Sequence, residues 1–300
     1  MLIYEIASNL HEWEPSLLPF GFEIKNIVPS AFSFFTSIRI ATAAKTQTPE
    51  AIIVTTRRDA IAAVSARKLF RPYSPSKFCP ILWFVDSDTK RTGRLSAELE
   101  RELDAIVFDS EDSYRSWETV SMSDKLTRAI IHLPADASKY KLIKKQEVTN
   151  PETLRLGYVG PIKDGIRLKT ILDDILQLPE SKRPQLTVLG TARASIVMPL
   201  VKKAKHKGLN VIWKGEDYNL ATELNALDAF VPSSPSLSAP EKILLEAGTP
   251  ALPRINPLPD MNELENARKK SCDIYNNLYK PEKAAVKLQN LLSEIRAGSK

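Results

Sequence analysis

Short apolar runs alternate along the chain with stretches in which apolar residues recur three or four apart. In the first half the runs are 2–7, 24–28, 51–55, 81–85, 105–108 and 129–133, separated by helical patterns such as 59–70, 95–103 and 113–120. Strand, helix, strand repeated in this way predicts a parallel sheet covered on both faces. From Leu154 the scheme starts afresh, with strands predicted over 154–159, 185–189, 211–213, 229–231 and 251–255. The polar, lysine-rich stretch 139–151, ending in Asn150-Pro151, separates the two series and reads as a linker. The expected organisation is therefore two α/β domains, 1–150 and 151–300. A last amphipathic helix over 281–297 packs either on the second domain or back on the first.

Composition narrows the class. With 43% hydrophobic and 26% charged residues the chain is globular rather than disordered. No run approaches the roughly 18 to 20 apolar residues of a membrane-spanning helix, and Glu5, Glu12 and Glu14 interrupt any secretory leader, so a cytoplasmic location is expected. Two distant cysteines, Cys79 and Cys272, form neither a disulfide framework nor a zinc site. The net charge of +6 suits a small anionic ligand or a membrane surface better than nucleic acid, since the lysine runs are short. The apolar stretch 31–40 carries Arg39 as its only charge; a buried helix is its first reading and a peripheral membrane contact its second.

Glycine locates the chemistry. Seven of the ten glycines fall between Gly157 and Gly248, at the predicted strand ends of the second domain. Ligands of open α/β sheets sit outside the carboxyl ends of strands, where glycine lets amides approach a phosphate. One candidate is the turn Gly157-Tyr158-Val159-Gly160-Pro161-Ile162-Lys163-Asp164-Gly165, with Lys163, Arg167 or Lys169 as the nearby cation. Another is the Ser/Pro loop after the strand 229–231, which leads into a helix near Pro240 that Gly248 ends. Ser238, Ala239 and Glu241 open that helix, and Glu246 on it is the acid placed to accept bonds from a ribose. In the first domain Arg57 and Arg58, after the strand 51–55, and Asp86, after the strand 81–85, are candidates for the acceptor or phosphate side. Asp86-Ser87-Asp88, after the strand 81–85, is either a strand-ending turn or a D-x-D metal site, of which the turn is preferred and no metal is expected.

Gly157-Tyr158-Val159-Gly160, the strand 185–189 with Gly190, 211–215, 226–233 and 244–250 resemble the ordered landmarks of the donor domain of family-4-like (group 1) glycosyltransferases. The resemblance covers about residues 154–255; in the first half 105–111 and 131–134 are similar in layout. It implies two Rossmann-like doubly wound parallel-sheet domains facing across a cleft, the GT-B fold. It also implies retaining, metal-independent transfer of a sugar from a nucleotide-diphosphate sugar, which is substrate rather than cofactor, to a glycan or lipid-linked acceptor, as in polysaccharide biosynthesis. Glu246 matches the second glutamate of the family's E-x7-E motif. Ser238 stands where the first would be, Pro161 where an arginine usually follows, and Asp164 where a lysine is expected, with Lys163 one place away. These departures keep open a second reading, a non-catalytic protein of the same fold that binds nucleotide sugars.

Overall fold

The computed structural model describes residues 1–6, 14–28, 33–70, 79–85, 97–118, 126–135, 154–162, 164–215, 219–234 and 237–298. The linker 139–151, Lys163 and Asp86 lie outside them. The chain divides into two compact units, Met1–Pro134 with Lys280–Lys300, and Ala135–Tyr279.

In the first unit the strands are β1 (Leu2–Ile6), β2 (Glu23–Asn26), β3 (Ala51–Val54), β4 (Ile81–Val85), β5 (Ala105–Phe108) and β6 (Thr127–Ile130). They form one parallel sheet in the order β2-β1-β3-β4-β5-β6. The helices between them are α1 (Glu14–Leu17), α2 (Ser33–Gln47), α3 (Arg57–Phe70), α4 (Ala97–Glu102) and α5 (Glu111–Glu118). β3 and β4 are buried at every position, as befits central strands covered on both faces. One core forms under α2 and α3 around Ile6, Ile52, Val54 and Trp83, with Trp83 and Trp117 packed edge to face at 5.5 Å.

The second unit contains β7 (Arg155–Val159), α6 (Ile166–Leu176), β8 (Gln185–Leu189), α7 (Ala194–His206), β9 (Val211–Trp213), α8 (Leu220–Ala226), β10 (Ala229–Pro232), α9 (Ala239–Glu246) and α10 (Met261–Ile274). Its sheet is parallel in the order β10-β7-β8-β9. Gly157 lies inside β7 because a Cβ there would stand 2.4 Å from the Leu227 side chain, so the residues before β10 pack directly on the strand backbone.

One expected strand does not form. Over 251–255 only Ala251 bridges to Phe230, and the contact is held by Phe230 N donating to Pro250 O at 2.9 Å and Leu252 N donating to Phe230 O at 2.8 Å. Pro250 and Pro253, which lack an N–H, stop the ladder on either side. The stretch 31–40 also differs from its first reading as a buried helix. From Ser33 it is α2, buried along Thr36, Ser37, Ile40 and Ala44, with Phe34 and Phe35 61% and 53% exposed.

The last helix, α11 (Pro281–Gly298), belongs to the first unit. Ala284, Ala285, Leu288, Leu291, Leu292 and Ile295 share a core with Ile3, Leu17, Phe22, Ile53, Leu82 and Phe84. Lys287 Nζ donates to Ile130 O at 3.1 Å, and Arg296 pairs with Glu50.

Candidate functional site

In the second sheet the strand order reverses between β7 and β10, because β8 and β9 continue from one side of β7 while β10 returns to the other. The carboxyl ends of strands flanking such a reversal form the natural crevice of an open α/β sheet. Gly160 ends β7, Gly190 ends β8, and Ser233 follows β10.

Gly160 and Gly190 have φ of 132° and 134°, a region open to glycine. A Cβ on Gly190 would lie 2.1 Å from the Gly160 carbonyl oxygen, and one on Gly160 would lie 2.5 Å from Ser233 Oγ and 3.3 Å from Ser238 Oγ. The ends of β7 and β8 therefore meet backbone to backbone, and the Ser233 and Ser238 side chains lie over Gly160. Gly165, with φ 74°, is the N-cap of α6, and the Asp164 carboxylate accepts from Ile166 N at 3.0 Å.

α9 opens with a capping box between Ser238 and Glu241, the arrangement that the spacing S-x-x-E encodes. Glu241 is fully buried. Its Oε1 accepts from Ser233 N at 2.6 Å, and its Oε2 accepts from Ser238 N at 2.7 Å, Ser238 Oγ at 2.6 Å and Ser233 Oγ at 3.1 Å. The carboxylate thus ties the loop after β10 to the start of α9, where the helix dipole favours negative charge. Burial pushes its pKa up, against the pull of these hydrogen bonds. Beside it the buried Tyr158 hydroxyl is pushed up to about 12, first by burial and then by the Glu241 charge, with Arg167 acting in the opposite sense.

Of the other residues expected at the donor, Ala239 and Ser238 are partly exposed at the head of α9. Glu246 ends the same helix, half-buried, while its neighbours Leu244 and Leu245 face the core. Glu241, a donor-side candidate from sequence, is engaged in the cap that its S-x-x-E spacing encodes.

In the first unit the sheet reverses between β1 and β3, and Arg57 and Arg58 stand exposed at the start of α3 directly after β3. Thr56 Oγ1 accepts from Asp59 N at 3.2 Å and donates to Asp59 Oδ2 at 2.5 Å, which caps the helix. At the end of β5, Asp109 Oδ1 accepts from Ser110 Oγ at 2.9 Å and Ser113 Oγ at 2.5 Å, and His132 Nδ1 donates to the Asp109 carbonyl at 2.8 Å. Among the described residues no group of three His, Cys, Asp or Glu side chains is placed to hold a metal ion.

These two parallel-sheet units are the GT-B fold of glycosyltransferases. The chain is similar to the lipopolysaccharide outer core galactosyltransferase WaaB in its apo form, with 13% identity, 98% of this chain and 99% of that one covered, and a TM-score of 0.61. It is similar also to a glycosyltransferase from Rickettsia africae (9% identity, 99% and 96% covered, TM-score 0.56) and to Anabaena HepE in complex with UDP and glucose (13%, 98% and 95%, 0.53). No family model and no curated protein matches the sequence.

Proposed function

We propose that the protein is a glycosyltransferase that moves a sugar from a nucleotide-diphosphate sugar to a glycan or lipid-linked acceptor. The observation that carries this reading is the meeting of Gly160, Gly190, Ser233 and Ser238 at the carboxyl ends of the strands where the second sheet reverses. Close approach of glycine backbone is what a pyrophosphate needs, and the Ser233 and Ser238 hydroxyls, which donate to Glu241, turn to it only when it binds. HepE, of similar fold, was crystallised with UDP and glucose, which supports a uridine diphosphate sugar as the first donor to test. Glu246, as in the E-x7-E motif, holds the ribose. The diphosphate leaves on amides and cations such as Arg167 and Lys163, without a metal ion, and the sugar keeps its anomeric configuration. Arg57 and Arg58 serve the acceptor side.

A second reading, binding without turnover, is favoured by Glu241. Its carboxylate already takes the Ser233 and Ser238 amides and both hydroxyls, four donors that a leaving diphosphate would otherwise use.

Calorimetric titration with UDP, GDP and their sugars, followed by a donor-consumption assay, tests both. Transfer reading and Glu246 role together predict nucleoside diphosphate binding that Glu246→Ala weakens about tenfold, with donor consumed when acceptor is present. Binding with no consumption selects the second reading, and no binding to any of the nucleotides removes both.

A further inference from the structure

The head of α9 has few donors to spare. Its first turn is Ala239-Pro240-Glu241, in which Pro240 has no N–H and the Glu241 N–H is turned to the Ser238 side chain in the capping box. The Ser238 N–H just before that turn, the Ser233 N–H after β10 and both serine hydroxyls go to the Glu241 carboxylate, at 2.6–3.1 Å. Ser233 and Ser238 are partly exposed, whereas Glu241 is fully buried. The third residue of the helix thus reaches back and puts its carboxylate where the helix dipole favours an anion.

Asp164 provides a contrast. It also stands at a helix start on this edge, but it is exposed and accepts from Ile166 N at 3.0 Å, a bond that water can replace. Glu241 is held by two amides and two hydroxyls beside the end of β7, where its charge raises the Tyr158 hydroxyl and a Cβ on Gly160 would stand 2.5 Å from Ser233 Oγ. Burial disfavours its charged form, and the four bonds oppose that. A phosphate group needs donors of the same kind. An N–H that serves one anion is not open to a second, and a carboxylate left among the donors would repel the newcomer at close range. The carboxylate and a phosphate group therefore exclude each other at this point.

We propose that Glu241 decides whether the head of α9 holds a diphosphate: its carboxylate stands in the diphosphate's place, and a diphosphate binds by taking the Ser233 and Ser238 donors from it. This rests on the donor reading of the second unit. Its consequence is opposite to that of an ordinary binding residue, since removing the Glu241 side chain frees four donors and strengthens binding. A cap with a structural role only predicts the reverse, because its loss loosens the loop that carries both serines.

The test titrates the full chain and its Glu241→Ala variant with UDP by calorimetry and follows the melting temperature of each as inorganic pyrophosphate is added. Glu241→Ala should bind UDP about tenfold or more tightly than wild type, and pyrophosphate should raise its melting temperature more than that of wild type. Should the alanine variant not fold, Glu241→Gln, of the same shape and without the charge, supplies both comparisons. UDP binding that is equal or weaker in the variant would overturn the proposal and leave the donor reading standing, because wild type binds. Stabilisation of the variant by pyrophosphate, with UDP bound by neither protein, upholds the exchange and removes the nucleotide from the donor reading. No response of either protein to either ligand overturns both.

Discussion

At the residue scale, the strand-end glycines and the buried acids carry the sharpest consequences. Gly190→Ala would place a methyl group against the Gly160 carbonyl, backbone against backbone, at a φ that side chains avoid. It should cost about 3 kcal/mol or more. Gly215, with φ 69° and nothing near its missing Cβ, should lose only about 1 kcal/mol on the same change. Equilibrium urea denaturation of the two variants gives the comparison. The clustering of glycine in the second half marked this edge from sequence, but which pair abuts depends on β7 and β8 being neighbours, a fact of sheet order that composition does not hold.

Asp59 supplies a pH test at the same scale. Burial raises its carboxyl above the ordinary range, opposed by the hydrogen bond from Thr56 and the charge of Arg58. A carboxyl raised on folding contributes stability that is whole below its unfolded pKa of about 4 and is lost as pH rises through the folded value. Asp59→Asn keeps an acceptor for Thr56 and cannot ionise. Its melting temperature should therefore gain on wild type as pH rises from acid to neutral, and a flat difference across that range would refute the assignment. Cys79 behaves oppositely to a reactive thiol, since burial pushes it up to about 12. Iodoacetamide at neutral pH should label the partly exposed Cys272 and leave Cys79 untouched, as read by peptide mass mapping.

At the element scale, the apolar runs locate the central strands β3, β4 and β5 closely because central parallel strands are apolar at every position, whereas the edge strand β6, partly exposed, spans Thr127–Ile130 rather than the expected 129–133. Periodicity failed where burial is sparse. α10 has only Leu264 and Ser271 buried, too few for an apolar stripe to show, and its start is fixed instead by the capping box between Asp260 and Glu263. The sequence 251–255 misled in the other direction, since an apolar run between prolines looks like a strand but has too few N–H groups to extend one. α9 shows how much a cap can hold. Ser238→Ala removes a hydroxyl that donates to Glu241 and half of the capping box, and should destabilise the protein by about 1 kcal/mol. A loss near zero in thermal unfolding would mean that the two amides and the Ser233 hydroxyl suffice to hold the buried carboxylate.

At the scale of the whole molecule, the chain builds one unit, then the other, and closes by returning its last helix to the first. The amphipathic pattern of 281–297 showed that this helix must bury a face, but pattern alone does not choose between two sheets that both need covering. The structure assigns α11 to the first unit, where Leu288 packs with Ile53, Leu82 and Phe84 beside a small apolar cavity that Ile131, Leu133 and Ala284 also line. The core of the second unit is drawn from other residues, among them Leu156, Leu168, Val188 and Val201. A lesion at Leu288 should therefore act on a part of the chain that lies far away in sequence. Leu288→Ala enlarges the cavity and should cost about 2–5 kcal/mol. By hydrogen exchange the lost protection should appear in β1, β3 and β4, more than 200 residues earlier, while β7 and β8, much nearer along the chain, keep theirs. Loss spread equally over both sheets would mean that the two units unfold as one, and that α11 stabilises the molecule rather than the sheet it covers.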